Sequence, residues 1–153
     1  MVRIRHLGTM LRTISICAYI AMGLSLVALV PLHALFSANP VVIGFQVAAL
    51  QLLLWARFTF GWRSYHVAAT PTEGGLVMSG PYRYIRHPIY ASMCVLGWAG
   101  ILAHLSWSAG ICGVALVLTG LVRIFCEEKL VSRRYPEYAE YATRTWRLVP
   151  YVF

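Results

Sequence analysis

Two short groups of residues in this chain carry side chains that can hold, orient or polarise a small molecule. The first runs from Gly80 to Tyr90 and reads Gly-Pro-Tyr-Arg-Tyr-Ile-Arg-His-Pro-Ile-Tyr, with Leu76 and Val77 just before it. His87 can donate a hydrogen bond, accept one, or do both. Pro81 and Pro88 restrict the backbone around it. Gly74, Gly75 and Gly80 permit tight turns or close approach of a ligand to the main chain. The second group is Arg123, Glu127 and Glu128. Two adjacent carboxylates suit hydrogen-bond donors such as ribose hydroxyls or a ligand ammonium. Arg123 and Glu127 stand four apart and share a helix face, in the less favourable order for a simple helix pair.

Both groups also admit a plainer reading. The first is a loop whose arginines set membrane orientation and whose tyrosines sit at headgroup level. The second is a snorkelling arginine paired with a glutamate. Against the plainer reading, ionisable groups at the edge of a membrane span are functional candidates by default.

The elements that must position these residues are apolar. The chain has 153 residues, 59% hydrophobic and only 12% charged, with a mean hydropathy of +0.68. A soluble domain carries about 25% charge, so the expected class is an all-α, polytopic membrane helix bundle forming one domain over residues 1–153. Four spans are expected, at about 13–36, 41–60, 88–105 and 109–126, each near or above the length that crosses a bilayer core. The basic stretch before the first span resembles the start of a secretory signal, but the apolar run after it is too long for one. Pro31 should kink the far end of span 1. Asn39 can cap span 2, with Pro40 as its first residue. Gly97 and Gly100 on span 3, and Gly110, Gly113 and Gly120 on span 4, predict a tight antiparallel hairpin.

The polar remainder is concentrated. The long connection 61–87 holds Arg63, His66, Glu73, Arg83 and Arg86, and connections of this length are usually functional. In the tail, Pro136 can open an interfacial helix with Glu137 and Glu140 early and Arg144 and Arg147 late, the order the helix dipole favours. The net charge of +8 would suggest nucleic acid on a soluble chain. Here the basic residues flank the spans and no nucleic-acid partner is expected; membrane lipid is. Cys17, Cys94, Cys112 and Cys126 have neither metal-ligand nor redox spacing, so no metal centre is expected. The turns at Ser37–Pro40 and Ser106–Ser108 contain no Lys or Arg. Both termini and the long connection should therefore face the cytoplasm. That topology brings the two groups to one membrane face, where a water-soluble cofactor can meet a lipophilic substrate.

The motif residues carry a resemblance. Gly80-Pro81-Tyr82, then Arg86-His87-Pro88-Ile89-Tyr90, a helical hairpin, Arg123, Glu127-Glu128 and Tyr135-Pro136-Glu137-Tyr138 resemble the isoprenylcysteine carboxyl methyltransferase family and the related phospholipid N-methyltransferases, over roughly residues 74–150. The resemblance implies an integral membrane enzyme that uses S-adenosyl-L-methionine. By position, Leu76, Val77, Tyr82, His87, Pro88, Ile89, Tyr90, Glu127 and Glu128 would bind the cofactor. Arg123 would be catalytic, holding the carboxylate of a lipophilic or prenylated substrate, and the tail would help cover the site. The chain departs from the family pattern at Ser92, where glycine is usual, and at Gly74, where some relatives have histidine. Transfer to a phospholipid or other amine is the nearest alternative. Sterol reductases, which bind NADPH, share a similar motif but carry asparagine where this chain has Ile89. A non-enzymatic scaffold that binds anionic lipid is a third reading, and gives no reason for the paired glutamates. The methyl acceptor and the oligomeric state are open at this point.

Overall fold

The computed structural model describes residues 2–61 and 75–153, with side chains described from residue 6 onward. Arg63, His66, Glu73 and Gly74 of the long connection, and the side chains of Arg3 and Arg5, lie outside the described residues. The described chain is all-helical: α1 Val2–Val27, α2 Pro40–Phe60, a 3₁₀ turn at Gly80–Arg83, α3 Pro88–Ala103, α4 Trp107–Arg134 and a short α5 Tyr138–Thr143. Three of these helices are long and apolar enough to cross a membrane. The fourth apolar helix, α3, has 16 residues, about 24 Å at 1.5 Å per residue. That is short of a bilayer core of about 30 Å.

Local chemistry sets the helix ends. Asn39 caps α2 as expected, its side chain accepting from the Val41 N–H at 2.9 Å ahead of the Pro40 start. Ser106 caps α4 by accepting from the Ala109 N–H at 3.3 Å. α1 differs from the expected first span: it starts earlier and ends at Val27, before Pro31. Pro31 has no N–H to offer the Val27 carbonyl, which takes the Val30 N–H at 3.0 Å instead, and the chain leaves the helix in tight turns. α4 runs past the expected limit at Cys126. Glu127 and Glu128 come about 20 residues after Trp107, the length that spans a bilayer core, on a helix that continues to Arg134.

The expected tight hairpin of spans 3 and 4 is only partly present. α4 packs mainly on α1, and α3 mainly on α2. Two glycines bring α3 and α4 close: a Cβ on Gly97 would lie 2.7 Å from Leu116, and one on Gly113 would lie 2.8 Å from Ile101. Gly100 instead faces the turn after α1, where a Cβ would collide with the carbonyl oxygens of Ala34 and Leu35. Gly120 faces Met22 of α1, and Gly110 has nothing beside it. One buried cluster, Leu29, Ala34, Leu35, Ile101 and Ala109, closes the end with the short turns. A second, Met22, Tyr90, Leu116 and Ile124, lies towards the motif end. The outer faces of α2 and α4 expose Phe58, Phe45, Ile111 and Leu118, as helices in lipid do.

Candidate active site

The motif loop is held by the tail. Arg86 N–H donates to the Trp146 carbonyl at 2.7 Å, His87 N–H to the Arg147 carbonyl at 3.0 Å, and Trp146 N–H to the Tyr84 carbonyl at 3.1 Å. These bonds form a short parallel bridge between Ile85 and Trp146. Pro88 then starts α3. A proline fits the first helical turn, which needs no N–H there, so His87 is the last residue outside the helix. Gly80 has φ +57°, and a Cβ there would collide with Thr59. Only glycine takes that backbone at that separation from α2.

Two ion-paired groups converge on His87. In the first, the buried Arg123 donates from Nε to the Tyr90 hydroxyl at 2.9 Å and from Nη1 to the Ser15 carbonyl of α1 at 3.0 Å. Its Nη2 lies 2.6 Å from Glu127 Oε1. Tyr90 donates to that same oxygen at 2.7 Å, and the Arg123 guanidinium lies over the Tyr19 ring, 4.9 Å from its centroid. In the second, Glu128 accepts from Arg86 Nε at 2.9 Å and from Arg147 Nε at 3.0 Å, one on each oxygen. His87 stands between them. Its Nδ1 is 3.6 Å from Glu127 Oε2 and its Nε2 is 3.5 Å from Glu128 Oε1. The His87 side chain is 10% exposed, its ring stacks on Tyr90, and Nε2 is buried with no hydrogen-bond partner among the described residues.

Tyrosines line the tail side of this cluster. Burial, and after it the charge of Glu127, holds the Tyr82 phenol well above its ordinary value. Burial, and after it the charge of Glu128, does the same to Tyr138. Tyr141 is pushed up to about 12 by burial, which outweighs the opposing charge of Arg86. These phenols are neutral donors at physiological pH, and Tyr141 donates to the Tyr82 carbonyl at 2.7 Å.

Of the residues expected at the site, the fold brings His87, Tyr90, Arg123, Glu127 and Glu128 together. Pro88 is fully buried, and Ile89 packs on the Met22–Tyr90 cluster. Tyr82 bridges outward, its ring 5.5 Å from that of Phe60. Leu76 and Val77 stand apart from the carboxylates. With Thr59, Phe60, Gly61, Met78 and Ser79 they line an open cleft of about 780 Å³. Ser92, the departure from the family pattern, is buried and donates its hydroxyl to the Ile89 carbonyl at 2.7 Å.

The tail differs from the expected amphipathic helix. α5 spans only Tyr138–Thr143, because the backbone at 146–147 bonds to the motif loop instead of continuing a helical ladder. Arg144 makes the exposed pair with Glu140, while Arg147 turns back to Glu128. Sequence reasoning does not assign Ser15, Tyr19, Thr145 or Arg147 to the site, and it counts Arg86 in the motif stretch without a role of its own. For Arg86 a signal existed, since it adjoins the motif histidine. Ser15 has none, because a serine in an apolar span reads as ordinary helix packing.

A model of the isoprenylcysteine carboxyl methyltransferase family matches residues 42–133, more than half of the chain. Among curated proteins, the chain is 35% identical over 77 residues to the cobalt-zinc-cadmium resistance protein CzcN of Cupriavidus metallidurans, covering 49% of this chain and 35% of that one. It is 36% identical over 76 residues to the nickel-cobalt-cadmium resistance protein NccN of Alcaligenes xylosoxydans xylosoxydans, covering 49% and 36%. The match thus spans about a third of the length of these curated relatives. No solved structure matches.

Proposed function

The chain belongs to the isoprenylcysteine carboxyl methyltransferase family, and from that premise we propose that it is an S-adenosylmethionine-dependent methyltransferase acting at the membrane on a lipophilic acceptor, by carboxyl O-methylation. One observation carries the reading: the motif histidine and the two adjacent glutamates meet within 3.6 Å at the polar end of an apolar bundle. The residues fit the cofactor. It carries ribose hydroxyls, an ammonium and a sulfonium, and the cluster offers carboxylate acceptors beside a buried His87 nitrogen with no hydrogen-bond partner among the described residues.

When bound, the cofactor supplies an electrophilic methyl group on a positively charged sulfur and departs as a neutral thioether. The chain's own residues bind and orient. Tyr90 and Arg123 fix Glu127 through Oε1, so Oε2 is the oxygen turned to His87 and to incoming donors. Leu76 and Val77 line the open cleft beside Thr59 and Phe60, where an apolar part of the ligands could lie. A carboxylate acceptor is already anionic at neutral pH and needs no general base. Orientation and partial desolvation are then the protein's contribution. Arg123 presents a fork that matches a carboxylate, and an acceptor reaching it competes with Glu127 for Nη2. A glutamate released from the arginine gains capacity for cofactor donors, which couples the two sites.

A second reading has its own support. Arg123 is 3% exposed and gives Nε, Nη1 and Nη2 to Tyr90, Ser15 and Glu127. An arginine so engaged favours a phospholipid or other lipophilic amine as acceptor, with Glu127 or His87 taking the proton. Incubating membranes that contain the protein with methyl-labelled cofactor separates the two. Label released as methanol by mild base marks an ester, and base-stable label marks an N-methyl product. Absence of label from every lipid and peptide fraction, with no cofactor binding by the purified protein, overturns both.

A further inference from the structure

Two neighbouring glutamates in one motif invite a single shared role, and the geometry separates them. Glu127 is tied to membrane-buried groups, Tyr90 of α3 and Arg123 of α4. Glu128 is tied to the motif loop and the tail. Arg86, which bonds its Oε1, also donates from Nη1 to the Ala142 carbonyl at 2.9 Å, to the Thr145 hydroxyl at 3.2 Å and to the Thr145 carbonyl. Arg147, on its Oε2, lies in the tail itself, with its guanidinium between the Phe125 ring of α4 and the Phe153 ring at the chain's end. The Glu128 side chain is 13% exposed, so these charge-assisted bonds are little screened. Within the tail, Leu148 packs on the buried Met22–Tyr90 cluster.

Resting on the methyltransferase reading, we propose that the glutamates divide the work: Glu127 faces the ligands, and Glu128 is a positioning residue whose clasp with Arg86 and Arg147 holds residues 142–148 down over the site. Each oxygen of Glu128 accepts from one of the two arginines. Removal of the clasp frees the cover, so ligand leaves faster while the reacting groups stay in place.

Hydrogen exchange read alongside steady-state kinetics tests this on the full-length protein in detergent or nanodiscs, with S-adenosylmethionine as the ligand. In Glu128→Gln and Arg147→Ala, amide exchange over 142–148 should rise by about ten- to a hundredfold, the effect of losing one charge-assisted bond. The KM for the cofactor should rise with kcat retained at saturation. Arg147 is one-third exposed, so its variant folds even if Glu128→Gln does not. Glu127→Gln should weaken cofactor binding and leave exchange over 142–148 unchanged. Unchanged tail exchange in both clasp variants overturns the proposal. So does loss of kcat in parallel with thermal stability, which marks a merely structural bond. Tail opening in a protein whose parent form never binds the cofactor supports the clasp and removes the methyltransferase reading instead.

Discussion

At the scale of single residues, the site is a set of buried charges that satisfy one another. Breaking a buried pair by removing one partner leaves an uncompensated charge, typically at a cost of about 3–5 kcal/mol, so the informative variants are those that keep shape. Glu127→Gln keeps an oxygen for Tyr90 and Arg123 and loses only charge. It should weaken cofactor binding by about ten- to a hundredfold, the range for one charge-assisted bond, measured by calorimetry on folded protein. Arg123→Lys keeps the charge but cannot reach Tyr90, Ser15 and Glu127 together. It should lower turnover with cofactor affinity largely retained, which a single-turnover assay with labelled cofactor reads. Tyr141 supplies a pH effect with a definite sign. Its phenol ordinarily ionises near 10 and is pushed up to about 12 here, chiefly by burial, so between those values the unfolded chain loses a proton that the folded chain keeps. Stability should therefore fall as pH rises through that window and be unaffected below it. Tyr141→Phe should abolish that part of the alkaline loss, seen as a flatter thermal midpoint against pH.

At the scale of helices, the caps, the proline starts and the polar clusters were legible in the sequence, because each is a short-range chemical rule. Asn39-Pro40 and His87-Pro88 begin helices where the dipeptides predict. Glu127 and Glu128 lie on α4, past the apolar run that the sequence marks as the last span. Helix partnership was not legible. An apolar face in lipid has no preference between neighbours of equal greasiness, and association rests on fit. The glycines therefore announce close approach without saying to what: Gly97 meets Leu116 of α4 and Gly113 meets Ile101 of α3, while Gly100 meets a turn and Gly120 meets α1. The Arg147–Glu128 contact was illegible for a related reason, since the tail leaves its helix to pair with the motif loop, a non-local bond no local pattern encodes. The glycine assignments can be checked. Gly100→Ala places a methyl against two main-chain carbonyls that cannot swing away, so overpacking should cost about 1–3 kcal/mol. Gly110→Ala meets open space and should be neutral. Chemical denaturation in mixed micelles compares the two.

At the scale of the whole molecule, the two ends of the bundle differ in kind. One end is closed by short turns lined with Leu29, Ala34, Leu35 and Ile101, where residues 28–39 and 104–106 contain no Lys or Arg. There His104 lies 2.8 Å from the Phe36 carbonyl, tying the two turns together. The other end gathers Arg83, Arg86, Lys129, Arg133, Arg134, Arg144 and Arg147 around the candidate site. Basic residues near span ends stay on the cytoplasmic side, so the site should open to the cytoplasm, where a soluble cofactor is available, with the turns outside. The antiparallel packing of α1 on α4 makes this an all-or-none expectation, because one orientation fixes every other segment. A cysteine placed at Ser37 in a background lacking Cys17, Cys94, Cys112 and Cys126 should react with a membrane-impermeant thiol reagent in intact cells. One placed at Val152, exposed in the tail, should react only after permeabilisation. The reverse pattern would put the carboxylate cluster on the outer face, away from any cytoplasmic cofactor. The methyltransferase reading would then fail even though every distance within the site stood as described.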